Sequence, residues 1–367
     1  MRVLILADEF FSSRERGLLS RLEIGLADEG VRVTHAVPEG FQAEAPEGVF
    51  SRVLTYSTKT LLLTRRLAVR KLVRALEEMD EKEPIDIIHV FGGSVWGLGR
   101  DLAIEMGTGL ALEVWRAGLI ERARSVRMED GDVPLLLAPD PAIERALAQL
   151  PTGANLPISR LATWGVLTPA TPREIFPPEK APSIMLVGSG RDHAAFRAAV
   201  EGIASVAKDN PDLLIFCDAL AARRSNIWPL ARKLGILQNL SLIDELEGRR
   251  DLLLHGDVLV QPEAHGEQRS ILLEAMATGM VVIAAADPMV SALQDGVTAR
   301  LVSKGPGQWS TVLRDVMMNP ERARGLGRSA REFVKTHRKA SDHVRAVLAA
   351  YEWLTSDDPL PFAAKGP

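Results

Sequence analysis

The sequence predicts an α/β protein of two doubly wound, Rossmann-like domains facing across a cleft, and three observations carry this. Short apolar runs alternate with helical patterns through most of the chain. The alternation starts twice, at Val3 and again at Ser183, which gives two units of about 160 residues, an ordinary domain size. Between them, Pro151 to Pro182 is rich in Pro, Gly and Thr and interrupts the pattern, as an interdomain segment does.

Composition sets the outer bounds. The 44 Lys and Arg are outnumbered by 48 Asp and Glu, and a net charge of −4 argues against general nucleic-acid binding. A single cysteine, Cys217, excludes an intramolecular disulfide and any Cys-built metal site, which suits a reducing compartment. Arg2 to Ala7 is too short and poorly flanked for a signal peptide, and no run approaches the roughly 20 apolar residues of a membrane span. The expected location is cytoplasmic, with peripheral attachment at the inner face of a membrane left open by one helix described below.

Val3 to Ala7 reads as the first buried strand. A polar loop, Asp8 to Arg14, leads into a helix from about Glu15 to Glu29, and Gly30 stops it before a second strand, Val31 to Val37. This βαβ start implies an open parallel sheet. The first loop lacks G-x-G-x-x-G, which removes the main support for a dinucleotide cofactor. One more strand fits within residues 41 to 57. From Lys59 to Met79, Leu61, Leu62, Leu63, Leu67, Val69, Leu72, Val73 and Leu76 interleave with Arg and Lys. Such a helix either packs one apolar face with snorkelling cations outside, or lies on an anionic membrane surface. Ile85 to Phe91 is a strand containing His89, read as a packed residue rather than a catalyst. The Gly92-Gly93 pair after it either admits a ligand close to the backbone or simply turns the chain. Leu110 to Trp115 and Val133 to Ala138 supply two further strands.

In the second half, Ser183 to Gly188 is a strand followed by the loop Ser189 to His193, and a helix runs from about Ala194 to Lys208. Strand Asp212 to Cys217, helix Ile227 to Leu234 with its stop at Gly235, strand Leu240 to Ile243 and a helix near Glu247 to Leu254 follow. Then comes the most informative stretch, Asp257 to Ala284. An apolar run ends at Pro262, a loop carries acids, His265 and Arg269, helical spacing begins near Ser270, and Gly279 stands where a left-handed C-cap belongs. A loop from a buried parallel strand to a helix N-terminus is the usual ligand position in such sheets, and here it offers N–H groups, a helix dipole and Arg269 to an anion. Ser310 to Met318, Pro320 to Thr336 and Ser341 to Leu354 read as helices, and Asp357 to Pro367 as a frayed tail.

These residues together resemble the retaining glycosyltransferases of family 4, which have the GT-B two-domain architecture. The resemblance rests on Ile175-Phe176-Pro177, Met185-Leu186-Val187-Gly188, Leu234-Gly235-Ile236, Gly256 to Pro262, Leu272-Leu273-Glu274-Ala275-Met276-Ala277-Thr278-Gly279 and Asp295 to Val302, in that order, and on the final helix at Ala349-Ala350-Tyr351. It implies an N-terminal acceptor-side domain over 1–165, a nucleotide-sugar donor domain over 166–338, a helix over 339–356 that crosses back to the first domain, and a tail over 357–367. It further implies transfer of a sugar, with retention, from a nucleotide-diphosphate sugar to a glycan or small acceptor, with no metal or other cofactor. The family's ribose-binding glutamate carries over to Glu274, since a carboxylate accepts from two adjacent hydroxyls. The backbone N–H groups of Arg269, Ser270 and Ile271 would face the diphosphate. The turn at Gly188 and Ser189 belongs to the same site.

The sequence departs from the family at three places. Gly266 stands where a sugar-binding glutamate is expected, and Glu267, one residue later, is the candidate to replace it. Ser189 and Ala194 stand where the diphosphate-clamping Arg and Lys are expected; Arg191 and Arg269 either replace them in space or are surface residues. In the first domain, Phe10-Phe11-Ser12-Ser13 replaces a glycine pair and Trp115 replaces a histidine. An active transferase and a catalytically degenerate GT-B protein, retained as a nucleotide- or glycan-binding partner module, are therefore both open readings.

Overall fold

The computed structural model of the chain describes residues 1–41, 51–58, 62–79, 84–128, 133–150, 157–303 and 305–356. The expected tail at 357–367, the start of the basic helix at 59–61 and the opening of the Pro-rich segment at 151–156 lie outside these residues.

Two compact units are formed. The first holds a parallel sheet of β1 (Arg2–Ala7), β2 (Arg32–Pro38), β3 (Ser51–Tyr56), β4 (Ile87–Phe91), β5 (Gly109–Glu113), β6 (Leu135–Ala138) and β7 (Ile158–Leu161). Its order is β3-β2-β1-β4-β5-β6-β7. The crossovers carry α1 (Glu9–Ser13), α2 (Arg16–Asp28), α3 (Leu62–Met79), α4 (Trp96–Met106), α5 (Ile120–Ala123) and α6 (Pro141–Leu147).

The second unit holds β8 (Ser183–Leu186), β9 (Leu214–Asp218), β10 (Leu240–Ile243), β11 (Val258–Gln261), β12 (Val281–Ala285) and β13 (Arg300–Val302) in the parallel order β10-β9-β8-β11-β12-β13. Its helices are α7 (His193–Ala207), α8 (Ala219–Arg224), α9 (Ile227–Leu234), α10 (Ser270–Thr278), α11 (Pro306–Met318) and α12 (Pro320–His337). The last helix, α13 (Ala340–Leu354), belongs from Ser341 onward to the first unit.

Both sheets are doubly wound, as the alternation predicts. Their central strands β1, β4, β8 and β11 are buried along their whole length, because helices cover both faces. Strand order reverses beside β1 in one sheet and beside β8 in the other, so the loops after β1 and β4, and after β8 and β11, diverge and leave a crevice at the carboxyl ends. In the second unit Leu186, Ile215, Val260 and Ile283 pack with Phe196 and Ile203 of α7 and Trp309 and Leu313 of α11.

Four local features differ from the sequence expectation. The first loop is not all loop: the Asp8 side chain accepts from the N–H groups of Phe10 (3.1 Å) and Phe11 (3.2 Å) and nucleates α1, so the expected helix from Glu15 begins at Arg16 instead. Residues Ser13–Leu18 pack with the second unit, although they lie in sequence within the first. Glu247 to Leu254 forms two 3₁₀ turns, Leu246–Gly248 and Arg250–Leu254, rather than an α-helix. The Pro-rich segment contains β7, an edge strand whose apolar signal is only Ile158 and Leu161.

No described helix is long and apolar enough to cross a membrane. In α3, Ala68, Val69, Leu72 and Leu76 are buried, while Leu67 is exposed between exposed Arg66 and Arg70.

His89 lies in mid-strand and is fully buried. The Tyr351 hydroxyl of α13 is 2.8 Å from its Nδ1, and Glu113 Oε2 of β5 is 3.3 Å from its Nε2. Burial, followed by the charge of Glu113, keeps the Tyr351 phenol protonated, so the phenol donates to Nδ1 and Nε2–H donates to Glu113. The arrangement ties the last helix to two strands and has no solvent access. Tyr351→Phe would leave a buried acceptor unpaired, and a loss of about 1–3 kcal/mol is expected in a urea-unfolding measurement on the first unit. An unchanged midpoint would show that the bond contributes nothing.

Candidate functional site

The site in the second unit is built at its switch point. After β8 the chain turns through Gly188 (φ 139) and Gly190 (φ 71). A Cβ on Gly188 would lie 2.7 Å from Glu263 Oε2, and one on Gly190 would lie 2.5 Å from the Ala221 carbonyl, so neither position admits a side chain. The turn aims its N–H groups inward. Ser189 N–H, Ser189 Oγ (2.9 Å) and Asp192 N–H (2.9 Å) all donate to the buried carboxylate of Glu263, which follows β11 by two residues. Gly188 N–H donates to Glu247 (2.9 Å). Asp192 then caps α7 through the Ala195 N–H (2.9 Å).

Facing this turn is the N-terminus of α10. Its helix runs from Ser270 to Thr278 and ends at Gly279 in the left-handed conformation (φ 90), as the glycine stop predicts. Arg269, the N-cap residue, gives no side-chain cap. Glu15 from the Ser13–Leu18 segment caps the helix instead: its carboxylate accepts from Ser270 N–H at 3.3 Å and from Ser270 Oγ.

Three arginines hold this arrangement. Arg14 bonds Glu247 (3.0 Å), Asp218 (3.3 Å) and the Gly188 carbonyl (3.1 Å). Arg250 bonds Ser270 Oγ (2.9 Å) and the Arg14 carbonyl (2.8 Å), with Glu274 3.2 Å and Glu15 3.5 Å away. Arg269 pairs with Glu247, with Glu267 at 3.6 Å and Glu15 at 3.8 Å. Burial, with Arg14 adding to it, pulls the Arg269 guanidinium down to about 10, so it stays charged at neutral pH. Burial also pushes the Glu15 carboxyl up, against the pull of Arg250 and Arg269.

Gly188, Ser189, Arg269, Ser270, Ile271 and Glu274 therefore converge on one crevice within the second unit. Arg191 lies at its rim, exposed, its guanidinium without a hydrogen-bond or ion-pair partner among the described residues. Ala194, near the start of α7, is exposed and supplies no charge. Gly266 adopts φ 66 and donates its N–H to Asp287 (2.7 Å), a backbone state that disfavours glutamate there. Glu267 is buried against Arg269. Sequence reasoning missed Arg14, Glu15, Glu247, Arg250 and Glu263 as members of the site. Arg14 and Glu15 lie far along the chain from α10, Arg250 lies 20 residues before Ser270 with Glu247 just ahead of it, and Glu263 was noted only among the loop acids; the signal available was the density of Arg and Glu at residues 14–16 and 245–250.

At the first unit's switch point, Asp8 accepts from Ser94 Oγ (2.9 Å) and the α1 N–H groups, and burial pushes its carboxyl up. A Cβ on Gly92 (φ 104) would sit 2.0 Å from the Asp8 carboxyl carbon, so that glycine serves the turn against Asp8. Phe10 stacks on Trp115 at 4.4 Å and 13°, and Phe11 meets Trp115 edge-on at 5.6 Å. The aromatic first loop and the tryptophan in place of histidine are thus one packed cluster. The Arg116 guanidinium lies 5.2 Å from the Trp115 ring centre.

The chain is similar in fold to a glycosyltransferase from Rickettsia africae, at 14% identity over 97% of this chain and 99% of that one, with a TM-score of 0.71. It is similar to sucrose-phosphate synthase from Thermosynechococcus elongatus, at 15% identity over 96% and 99%, with a TM-score of 0.72. Anabaena HepE in complex with UDP and glucose matches at 12% identity over 95% and 99%, also with a TM-score of 0.72. No family profile and no curated protein matches the sequence. At these identities the likeness establishes the fold, the GT-B α/β fold with two Rossmann-like parallel-sheet units.

Proposed function

We propose that this GT-B protein is a glycosyltransferase that takes a sugar, with retention, from a nucleotide-diphosphate donor held in the second unit and passes it to a glycan or small acceptor. One observation carries the reading. The N–H groups of the Gly188–Asp192 turn and of Ser270 already hold carboxylates, so they form a working anion site at the switch point, with Glu274 beside it. HepE, of the same fold, is captured with UDP and with UDP-glucose. In this reading Glu274 accepts from the ribose hydroxyls, the N–H groups at the start of α10 face the diphosphate beside the Gly188–Asp192 turn, and Arg191 is the uncommitted cation that meets its charge. Stabilisation of the leaving diphosphate by placed charge is the main chemical contribution such a site makes.

The test is calorimetry against UDP, GDP and ADP. Wild-type protein should bind one of them, and Glu274→Ala should weaken that binding by about tenfold or more, the worth of a hydrogen bond to a charged group. Equal binding by wild type and variant would remove Glu274 from the site. A second reading, a degenerate protein that binds without turnover, is favoured by Gly266 in its left-handed conformation and by the Phe10–Trp115 stack. Slow hydrolysis of the bound nucleotide-sugar by wild type would support the transferase, and its complete absence the binding module.

A further inference from the structure

Resting on the donor-site reading above, we propose that the Glu15 carboxylate is an internal ligand of the diphosphate subsite, so that Glu15 sets donor affinity and the donor binds by displacing it. Glu15 engages what a phosphate oxygen at a helix N-terminus would use: Ser270 N–H, Ser270 Oγ and the guanidinium groups of Arg250 and Arg269. It does so from outside the β-α unit it caps, on the two-residue junction Arg14-Glu15 between α1 and α2, within the segment Ser13–Leu18.

Charge decides what can replace it. Among the described residues, Arg14, Arg250 and Arg269 face Glu15, Glu247, Glu267, Glu274 and Asp218, so the crevice as it stands has more carboxylates than guanidiniums. A diphosphate added beside Glu15 would meet uncompensated negative charge in a buried setting. With Glu15 withdrawn, Ser270 N–H and Oγ are released and Arg250 and Arg269 each lose one of their carboxylates, and a ligand carrying two or more charges gains more from these groups than one carboxylate does.

Glu15 is the member of the cluster suited to leaving. Glu263 is held by three donors from one turn, and Glu247 by the Gly188 N–H and two arginines. Glu15 has a single backbone N–H, that of Ser270, shared between its two oxygens at 3.3 Å each, beside Ser270 Oγ and two guanidiniums no nearer than 3.5 Å, and its burial works against its charge. The exchange is selective: a neutral sugar or a nucleoside lacks the charge to displace Glu15, whereas a nucleoside diphosphate carries it.

Titration of wild type and Glu15→Gln with UDP, GDP and ADP tests this, with uridine as the uncharged control. The isosteric amide keeps the shape and removes the charge, so affinity for the preferred diphosphate should rise by about tenfold or more while uridine binding is unchanged. Equal diphosphate affinity in the two proteins would overturn the inference and leave the donor-site reading standing. Failure of both proteins to bind any diphosphate would overturn the donor-site reading and this inference with it. Thermal melts with inorganic phosphate, at ionic strength matched with chloride, give a second readout on Glu15→Ala. Phosphate should raise the melting temperature of that variant and not of wild type, and an equal response in both would count against displacement.

Discussion

Asp257→Ala is expected to destabilise the second unit by about 3–5 kcal/mol, the cost of breaking a buried ion pair by removing one partner. Asp257 immediately precedes β11 and is buried. One carboxylate oxygen accepts from Phe176 N–H (2.9 Å) and Arg173 (3.1 Å), the other from Ser183 N–H (2.9 Å) and Ser183 Oγ (2.9 Å). A single side chain thus fixes the segment entering the unit and the first residue of β8. Without it, two N–H groups lose their acceptor and the partly buried Arg173 guanidinium, which burial already pulls down and Asp257 pulls up, keeps only backbone carbonyls and loses its counter-charge. Chemical denaturation followed through Trp309 should show the loss. A change below about 1 kcal/mol, the scale of an ordinary surface substitution, would contradict this account.

Acidification should destabilise the first unit from about pH 6.5 downward. His89 and His343 are both buried, and burial pushes each from 6.5 to about 3, with the charges of His89 and Arg21 adding to the shift of His343. Burial of His89 outweighs the Glu113 contact, which acts the other way. For a base whose folded pKa is depressed, the unfolded chain takes up the proton first. Stability is therefore complete above the unfolded value and falls as pH drops toward the folded one. Each histidine contributes a slope of about 1.4 kcal/mol per pH unit in that window. Asp8, raised by burial, acts in the opposite sense, so the effect is read as a difference between proteins. Comparing unfolding free energies at pH 7 and pH 5 for wild type and His343→Gln should show a shallower pH dependence in the variant. Identical slopes would mean that His343 does not titrate differently in the folded and unfolded states.

The anion site itself was half legible. Ser270, Glu274 and Gly279 stand in a local pattern of strand, loop, helix start and glycine stop, and local patterns survive folding. Gly188 and Ser189 were legible for the same reason. The occupants of their N–H groups were not, because Glu15 reaches Ser270 over a separation of 255 residues and Glu247 reaches Gly188 over 59, and nothing local in either segment marks the pairing. Phe10-Phe11 and Trp115 were each visible as departures from the family pattern, yet nothing in their spacing of about a hundred residues tells that they stack.

What the sequence by itself determined is the pair of parallel sheets, since buried strands and crossover helices need long apolar runs and 3.6-residue periodicity that can be read in place. The switch points follow from that order, and so does the location of the crevice at the carboxyl ends of β8 and β11. Tertiary structure alone decided what lines it. Charged side chains pair by distance rather than by sequence separation, and a buried charge must find its partner wherever the fold places one. That is why Glu15, in the junction between α1 and α2, stands against Ser270 and the two arginines that a donor's phosphates would use.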